Sequence, residues 1–156
     1  MDKEPMRDIT PWCRIRIDYE GRWFYEDKEI INPGVLQSFS EALELCDDGR
    51  YRIVLGNEIC YVEVEDTPFV VMTVRGDNAQ GFMLILNSGR AYPLDPATLT
   101  IGRDNILYAL LPGGMPVRLS RPAYYQLAMA MEEGPNGEIF LQVGQQRYPI
   151  LMQPKP

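Results

Sequence analysis

Two stretches of this sequence follow the same pattern, and that repeat constrains the fold more than any other feature. Residues 48–58 read DGRYRIVLGNE and residues 136–146 read NGEIFLQVGQQ. Each has a turn glycine, a run of strand-forming residues and a second glycine that suits a two-residue hairpin turn. Corresponding glycines are 88 residues apart. The pattern predicts one structural unit present twice. The alternative is that the two stretches are alike by coincidence, because turns in many α/β proteins favour glycine.

A helical pattern precedes each copy. Asn32 can cap a helix, and so can Ser120, and a proline follows each within two residues, where its missing N–H costs nothing. After Asn32 the apolar residues recur at i, i+1, i+4, i+7 and i+8, which places them on one helix face. We therefore predict helices over about residues 33–45 and 121–133.

The remaining segments have the length and composition of strands joined by short turns. The predicted fold class is α+β, mostly antiparallel β, with two similar lobes that each contain β-hairpins and one helix. RGDNAQG, residues 75–81, is the best candidate linker. The lobes are predicted to span residues 11–75 and 76–156.

The composition makes catalysis a less favoured function. The 156 residues include no histidine, which removes catalytic triads and imidazole acid–base chemistry. No nucleotide-binding signature occurs, so no cofactor and no metal site are predicted. Cys13, Cys46 and Cys60 form no CxxC pair, and we expect reduced, largely buried thiols. An enzyme is less favoured than a binding protein, although carboxylates, lysine or tyrosine can catalyse without histidine.

Charge and hydropathy bear on partners and location. The net charge is −7, and residues 1–66 hold 16 acidic against 8 basic side chains. No basic cluster suits a phosphate backbone, so nucleic acid is not an expected partner. The acidic half could instead keep the chain soluble or meet a basic partner surface. The first ten residues do not resemble a leader and no apolar run approaches the roughly 20 residues of a membrane helix, so we expect a cytoplasmic protein without membrane contact.

Five segments in order, RIRIDYEGRWFY, DDGRYRIV, VEVEDTPFVV, LNSG and LSRPAYYQL, span nearly the whole chain. In these segments the chain resembles a bacterial family, domain of unknown function 1285. The resemblance implies two β-rich lobes, each carrying a helix, with an internal repeat. The family has no established activity, and the resemblance implies at most a role in signalling.

The preferred binding site lies at a predicted strand-to-helix junction, LSRPAYYQL. Backbone N–H groups at a helix start, together with arginines, can bind an anion. The candidate residues are Arg118, Arg121, Tyr124 and Tyr125. The alternative is an ordinary capped helix whose tyrosines pack in a core.

Two further segments carry candidate polar residues. Glu63, Glu65 and Asp66 form the densest acidic stretch, where neighbouring carboxylates could shift one another's pKa or bind a hard cation. Of these, Glu65 and Asp66 are taken as candidate ligand residues, together with Asn87 in the LNSG turn. A solvated strand face and an ordinary hairpin turn are the alternatives.

Three functions remain open from the sequence. The favoured one is a binding or sensing module with a small molecule or protein in the groove between the lobes, and the family resemblance implies a signalling role for it. The second is a carboxylate-based hydrolase using Glu63, Glu65 or Asp66 with an arginine or tyrosine. The third is an oligomeric structural protein, in which edge strands pair into a homodimer.

Overall fold

The computed structural model of the chain describes residues 9–153, which form two α-helices and sixteen strands and confirm the predicted α+β class. Two compact units divide the chain, the first ending at Glu65 and the second beginning at Asp66. The prediction that the chain has no leader concerns the first ten residues, and residues 1–8 lie outside the described range. The lobes predicted over 11–75 and 76–156 stay a prediction.

The first unit is a six-stranded sheet with one helix. Its sheet order is β3-β2-β1-β6-β5-β4, and all neighbours are antiparallel except β1 and β6. Helix α1 packs against β5, and Phe39 of α1 lies on the ring of Trp23 with centroids 6.3 Å apart. The elements are β1 Trp12–Ile17, β2 Trp23–Tyr25, β3 Lys28–Glu29, α1 Pro33–Ala42, β4 Leu43–Leu45, β5 Tyr51–Leu55 and β6 Glu58–Val64.

The second unit contains a seven-stranded and a three-stranded sheet. The larger sheet begins with β7 Phe69–Asp77, β8 Gly81–Leu86, β9 Ala91–Pro93 and β10 Thr100–Ile101, and continues with β11 Leu107–Leu110, β12 Pro116–Leu119 and β16 Leu151–Met152. Its order is β16-β10-β11-β12-β7-β8-β9. Helix α2 Arg121–Ala128 leads into the smaller sheet, in which β13 Met131–Glu133, β14 Ile139–Val143 and β15 Gln146–Pro149 are antiparallel neighbours.

Hydrogen-bond registers confirm the internal repeat. Each copy is a capped helix followed by a three-stranded meander, α1-β4-β5-β6 or α2-β13-β14-β15. Leu43 pairs with Ile53 in the first copy, and Met131 pairs with Leu141 in the second, both 88 residues further on. The hairpin turns follow the same rule, since Leu55 faces Glu58 and Val143 faces Gln146. The helix caps, Asn32 and Ser120, are also 88 residues apart.

Both predicted helices are too long. Residues 43–45 and 131–133, expected as the last helical turns, are the strands β4 and β13. Leu43 already has extended backbone angles, with φ −76° and ψ 131°, and its side chain is buried. Pairing with the following strand therefore overrides the local helical pattern, as tertiary context commonly does.

The predicted linker is also wrong. Residues 75–77 belong to β7 and residue 81 starts β8, so this segment closes a hairpin. Arg75 pairs with Met83 and Asp77 pairs with Gly81. Asp77 closes the turn by accepting a hydrogen bond from the backbone N–H of Gln80 at 2.8 Å. A glycine-rich polar run suits either a linker or a tight turn, and only strand pairing separates them.

Candidate functional site

Strand β1 contains a bulge that creates an unusual surface in the first unit. Trp12 pairs with Tyr61 and Arg16 pairs with Glu63, so β1 advances four residues while β6 advances two. Arg14 sits in the bulge with φ 62°, a left-handed conformation uncommon for residues other than glycine. Bulges bend a strand and re-aim its side chains, and they are frequent beside functional sites.

A disulfide joins the bulge to β6 and corrects the expectation of three reduced cysteines. Cys13 and Cys60 are bonded, with their Cα atoms 5.0 Å apart, while Cys46 is a free thiol. The two cysteines are 47 residues apart in sequence, and their proximity arises from the parallel pairing of β1 with β6. The spacing of the cysteines in the sequence, with no CxxC pair, gave no sign of this contact.

An open cavity of about 260 Å³ lies at the bulge. Its walls come from β1, from β2 and the turn after it, and from β6. Every lining residue belongs to the first unit, and the set combines aromatic rings, guanidinium groups and carboxylates: Trp12, Arg14, Ile15, Arg16, Phe24, Glu26, Asp27 and Glu63.

The bulge and the β2–β3 turn are tied together at one wall. Arg14 donates a hydrogen bond from Nη1 to Oε1 of Glu26 at 2.6 Å, and its backbone carbonyl accepts from the Glu26 N–H at 3.2 Å. The side-chain hydrogen bond with Glu26, followed by the charge of that carboxylate, raises the pKa of the Arg14 guanidinium above its ordinary value. Glu26 and Asp27 both have positive φ, 46° and 70°, as a tight hairpin turn of mirror-image type requires.

A row of lining side chains crosses the sheet at the cavity. The registers place Phe24, Arg16 and Glu63 side by side on neighbouring strands, so all three point to one face. The Arg16 guanidinium lies 4.4 Å from the Phe24 ring centroid and 3.4 Å from a carboxylate oxygen of Glu65. Stacking and charge together fix Arg16 in this position.

Trp12 is the more exposed of the two aromatic side chains of the cavity. It is 58% exposed, whereas Trp23 is 4% exposed. The Trp12 ring contacts Tyr61, with centroids 5.6 Å apart, and the guanidinium of Arg50 lies 4.1 Å from the Tyr61 centroid. Amphipathic aromatic rings displayed in this way are typical of binding surfaces.

The predicted residues Asp66 and Arg118 do lie together, but in a largely buried cluster of the second unit. Arg118 is 6% exposed, and its Nε is 3.5 Å from Oδ2 of Asp66. The hydroxyl of Tyr108 donates to the same carboxylate at 3.0 Å, and Thr67 accepts a hydrogen bond from the backbone N–H of Arg118. The cluster joins the beginning of the second unit to β11 and β12.

The other residues of the predicted anion site are arranged differently. Arg121 is exposed at the start of α2, while the buried Arg118 lies on β12. Ser120 caps the helix by accepting from the backbone N–H of Ala123 at 3.4 Å. Tyr124 and Tyr125 contact each other edge to face, and Tyr125 is 58% exposed. The anion site itself stays a prediction.

Glu65 and Asn87 have separate local partners. Glu65 accepts a hydrogen bond from the backbone N–H of Tyr19 at 2.9 Å besides its contact with Arg16. The Asn87 side chain accepts from the backbone N–H of Val70 at 3.2 Å, and the backbone N–H of Asn87 donates to the Val70 carbonyl at 2.8 Å. Asn87 thus links the end of β8 to β7.

Sequence reasoning did not select the cavity residues Trp12, Arg14 and Asp27. The available signal was the alternation of arginines with apolar residues in CRIRID, next to the aromatic segment RWFY. Alternation gives the face on which Arg16 lies, but it cannot give a bulge or a parallel neighbour. The predicted groove between the lobes stays a prediction.

Residues 9–153 contain no helix that is long and apolar enough to cross a membrane. Within the same residues, no three His, Cys, Asp or Glu side chains are grouped so that they could hold a metal ion. The cytoplasmic location, the homodimer and the exclusion of nucleic acid stay predictions.

Two units, each with a helix and a three-stranded meander, define a class of fold rather than an activity. One solved structure with this fold is a DUF1285 family protein from Silicibacter pomeroyi DSS-3, with a TM-score of 0.76 and 20% identity over 91% of this chain and 81% of that one. Another is a DUF1285 family protein from Shewanella baltica OS155, with a TM-score of 0.64 and 22% identity over 74% of this chain and 90% of that one.

No protein-family model and no curated protein matches the sequence. The two structures confirm the predicted resemblance to the DUF1285 family at the level of the fold. Identities of 20% and 22% carry no activity over to this chain.

Proposed function

We propose that this protein is a non-enzymatic binding module and that the cavity at the β1 bulge is its ligand site. The observation that carries the proposal is the cavity of about 260 Å³, walled by the exposed ring of Trp12 and by charged side chains on a bulged strand. Concave sites with an apolar wall and a few polar groups are the usual form of small-molecule sites. A binding module of this kind suits a sensing or signalling role.

The framework of the cavity supports binding because several of its groups are already held in place. Arg14 is hydrogen-bonded to Glu26, and Arg16 is stacked on Phe24 and paired with Glu65. The disulfide between Cys13 and Cys60 fastens the bulge to β6. A preformed wall reduces the entropy that a ligand must overcome on binding.

The hydrolase alternative has less support. Of its three candidate carboxylates, Glu63 lines the cavity, while Glu65 is hydrogen-bonded at Tyr19 and Asp66 is hydrogen-bonded at Tyr108. A catalytic carboxylate must reach the reacting atom within hydrogen-bond distance. Glu63 is the sole member of that set among the lining residues, so the hydrolase hypothesis would rest on Glu63 with a partner other than Glu65 or Asp66.

A thermal-shift screen of cationic, anionic and neutral small molecules tests the proposal. Wild type is compared with Trp12→Ala and with Tyr125→Ala, because both aromatic side chains are 58% exposed and only Trp12 lines the cavity. We expect at least one compound to raise the Tm of wild type and of Tyr125→Ala, with the increase lost in Trp12→Ala. The increase in Tm is measured for each variant relative to the same variant without ligand, so a general loss of stability does not affect the comparison.

A compound that stabilises Trp12→Ala as much as wild type would contradict this site. A screen in which no class of compound raises the Tm of wild type would contradict the proposed function.

A further inference from the structure

We infer that the cavity takes a small organic cation, a guanidinium or primary ammonium group, held by Asp27 and Glu63 and stacked on Trp12. This inference rests on the proposed function and adds the chemical class of the ligand. It draws on the charge of the lining, the exposed indole and the size of the cavity.

The lining carries three carboxylates against two guanidinium groups. Glu26 is engaged by Arg14 at 2.6 Å, and Arg16 is 3.4 Å from Glu65 and stacked on Phe24. Asp27 and Glu63 are exposed and form no ion pair with any side chain of residues 9–153. The charge left for a ligand is therefore negative, which favours a cation.

The net charge of the first unit is also negative. Residues 1–65 hold 15 acidic and 8 basic side chains, so the field around the first unit attracts cations and repels anions. An anionic ligand would have to displace Glu26 or Glu65 from an arginine. A cationic ligand needs no such rearrangement.

The indole of Trp12 supplies the second half of the site. Tryptophan is the best aromatic partner for a cation, and the Trp12 ring contacts Tyr61 while 58% of the residue is exposed. Cation–π stacking already occurs on this sheet, with Arg16 lying 4.4 Å from the Phe24 centroid and Arg50 lying 4.1 Å from the Tyr61 centroid. A cation on Trp12 would extend the same kind of contact.

The cavity volume limits the ligand to a small group. A cavity of about 260 Å³ is just below the roughly 300–1,000 Å³ range of drug-sized pockets. One arginine-like or lysine-like group fits this volume, whereas a nucleotide would leave most of its surface outside. The same chemistry is available from a free amine or from a basic side chain of a peptide.

Tryptophan fluorescence tests the inference, because Trp12 and the 4%-exposed Trp23 are the two tryptophans of the chain. The probes are N-acetyl-arginine amide, its uncharged isostere N-acetyl-citrulline amide, and N-acetyl-glutamate amide. We expect the arginine probe to bind about tenfold more tightly than the citrulline probe, as two exposed charge contacts imply. The signal change should be absent in Trp12→Phe.

Charge-removing variants test whether the carboxylates of Glu63 and Asp27 bind the cation. Glu63→Gln should weaken the arginine probe about threefold, whereas Glu58→Gln, an exposed carboxylate at the far end of the same strand, should leave it unchanged. Asp27→Asn should have an effect similar to that of Glu63→Gln, since asparagine tolerates the φ of 70° at this position. Equal effects of Glu63→Gln and Glu58→Gln would overturn the inference.

The probes also separate the two proposals. A glutamate or citrulline probe that binds at Trp12 more tightly than the arginine probe would overturn the cation assignment and leave the ligand site standing. No response of Trp12 to any probe class would count against the site itself. A pentapeptide with one central arginine that binds tenfold more tightly than N-acetyl-arginine amide would identify a protein segment as the source of the cation, and equal affinity would identify a free small molecule.

Discussion

The two copies of the repeat have the same internal register and different surroundings. In both, a capped helix is followed by three antiparallel strands with pairings that differ by 88 residues. In the first copy β6 runs for seven residues and pairs with β1. Helix α1 of this copy has no buried residue. In the second copy β15 runs for four residues at the edge of its sheet, and α2 buries Ala123 and Leu127.

This difference indicates which part of the molecule is framework and which part is specialised. The repeated helix and meander supply the framework in both units. Strand β1, with its bulge and its disulfide, pairs with β6 of the first copy, and the cavity lies where β1 and the β2–β3 turn meet β6. We therefore expect the ligand site where β1 meets the repeated meander of the first unit.

The largest effect is expected from the disulfide, which belongs to the first unit. Replacing both Cys13 and Cys60 by serine should lower the free energy of unfolding by about 4 kcal/mol, because the bond closes a loop of 47 residues in the unfolded chain. Urea unfolding followed by tryptophan fluorescence measures this, since both tryptophans lie in the first unit. Cys46→Ser is the control, and equal midpoints for the control and the double variant would contradict the prediction.

The helices should differ in what they contribute to stability. Leu127 of α2 is 0% exposed, and Leu127→Ala should cost about 3 kcal/mol through lost burial and a cavity. Phe39, 88 residues earlier, is half-buried against Trp23, and Phe39→Ala should cost about 1 kcal/mol. Chemical denaturation measures both, and a larger loss from Phe39→Ala would show that α1 is the better-packed helix.

The glycines that open the repeated hairpins should behave alike. Gly49 and Gly137 have φ values of 90° and 82°, and an added Cβ would meet no atom within 4 Å at either position. Alanine at each should therefore cost about 1–2 kcal/mol, through backbone strain alone. Thermal or urea unfolding of the two variants checks this. If one variant loses a free energy of unfolding within the expected range and the other does not, the two turns are not equivalent.

The smallest effect concerns an ion pair in the β1–β2 hairpin. Burial alone would raise the pKa of the Asp18 carboxyl, but hydrogen bonds from the backbone and guanidinium of Arg22 outweigh burial and hold this pKa below the ordinary value of 3.8. The stabilisation is therefore complete above pH 3.8 and is lost as the pH falls through the lower, folded-state pKa. Asp18→Asn should cost about 1 kcal/mol at pH 7, a difference that shrinks in strong acid.

Asp48→Asn is the matched control for this pair. Asp48 makes the same two kinds of hydrogen bond to Arg50, but its side chain is 49% exposed, against 10% for Asp18. An exposed pair of this kind contributes little. Urea unfolding at pH 7 and pH 2 measures both variants, and an equal loss at both pH values for Asp18→Asn would rule out the ionic contribution.

The sequence reveals those features that depend on local chemistry. The turns at Gly49 and Gly137 need a residue that tolerates positive φ, and the helix starts need an N-cap such as Asn32 or Ser120. These signals lie within a few residues of the structure they specify. They were sufficient for the fold class, the repeat and both helix starts.

Non-local pairing accounts for what the sequence did not reveal. Both helices end early because Leu43 and Met131 pair with later strands. Cys13 meets Cys60, and Trp12 meets Tyr61, because β1 is the parallel neighbour of β6, and the order of residues along the chain does not specify that neighbour. The cavity depends on the same pairing.

The central claim, that the ligand site lies where β1 pairs with β6 of the first copy, is tested most directly by NMR chemical-shift mapping during titration with N-acetyl-arginine amide. We predict the largest shifts at the Trp12 indole and at the backbone amides of Arg14, Asp27 and Glu63, with no change in residues 146–149 of the second copy. Equal shifts in both copies, or shifts confined to the second unit, would contradict the claim.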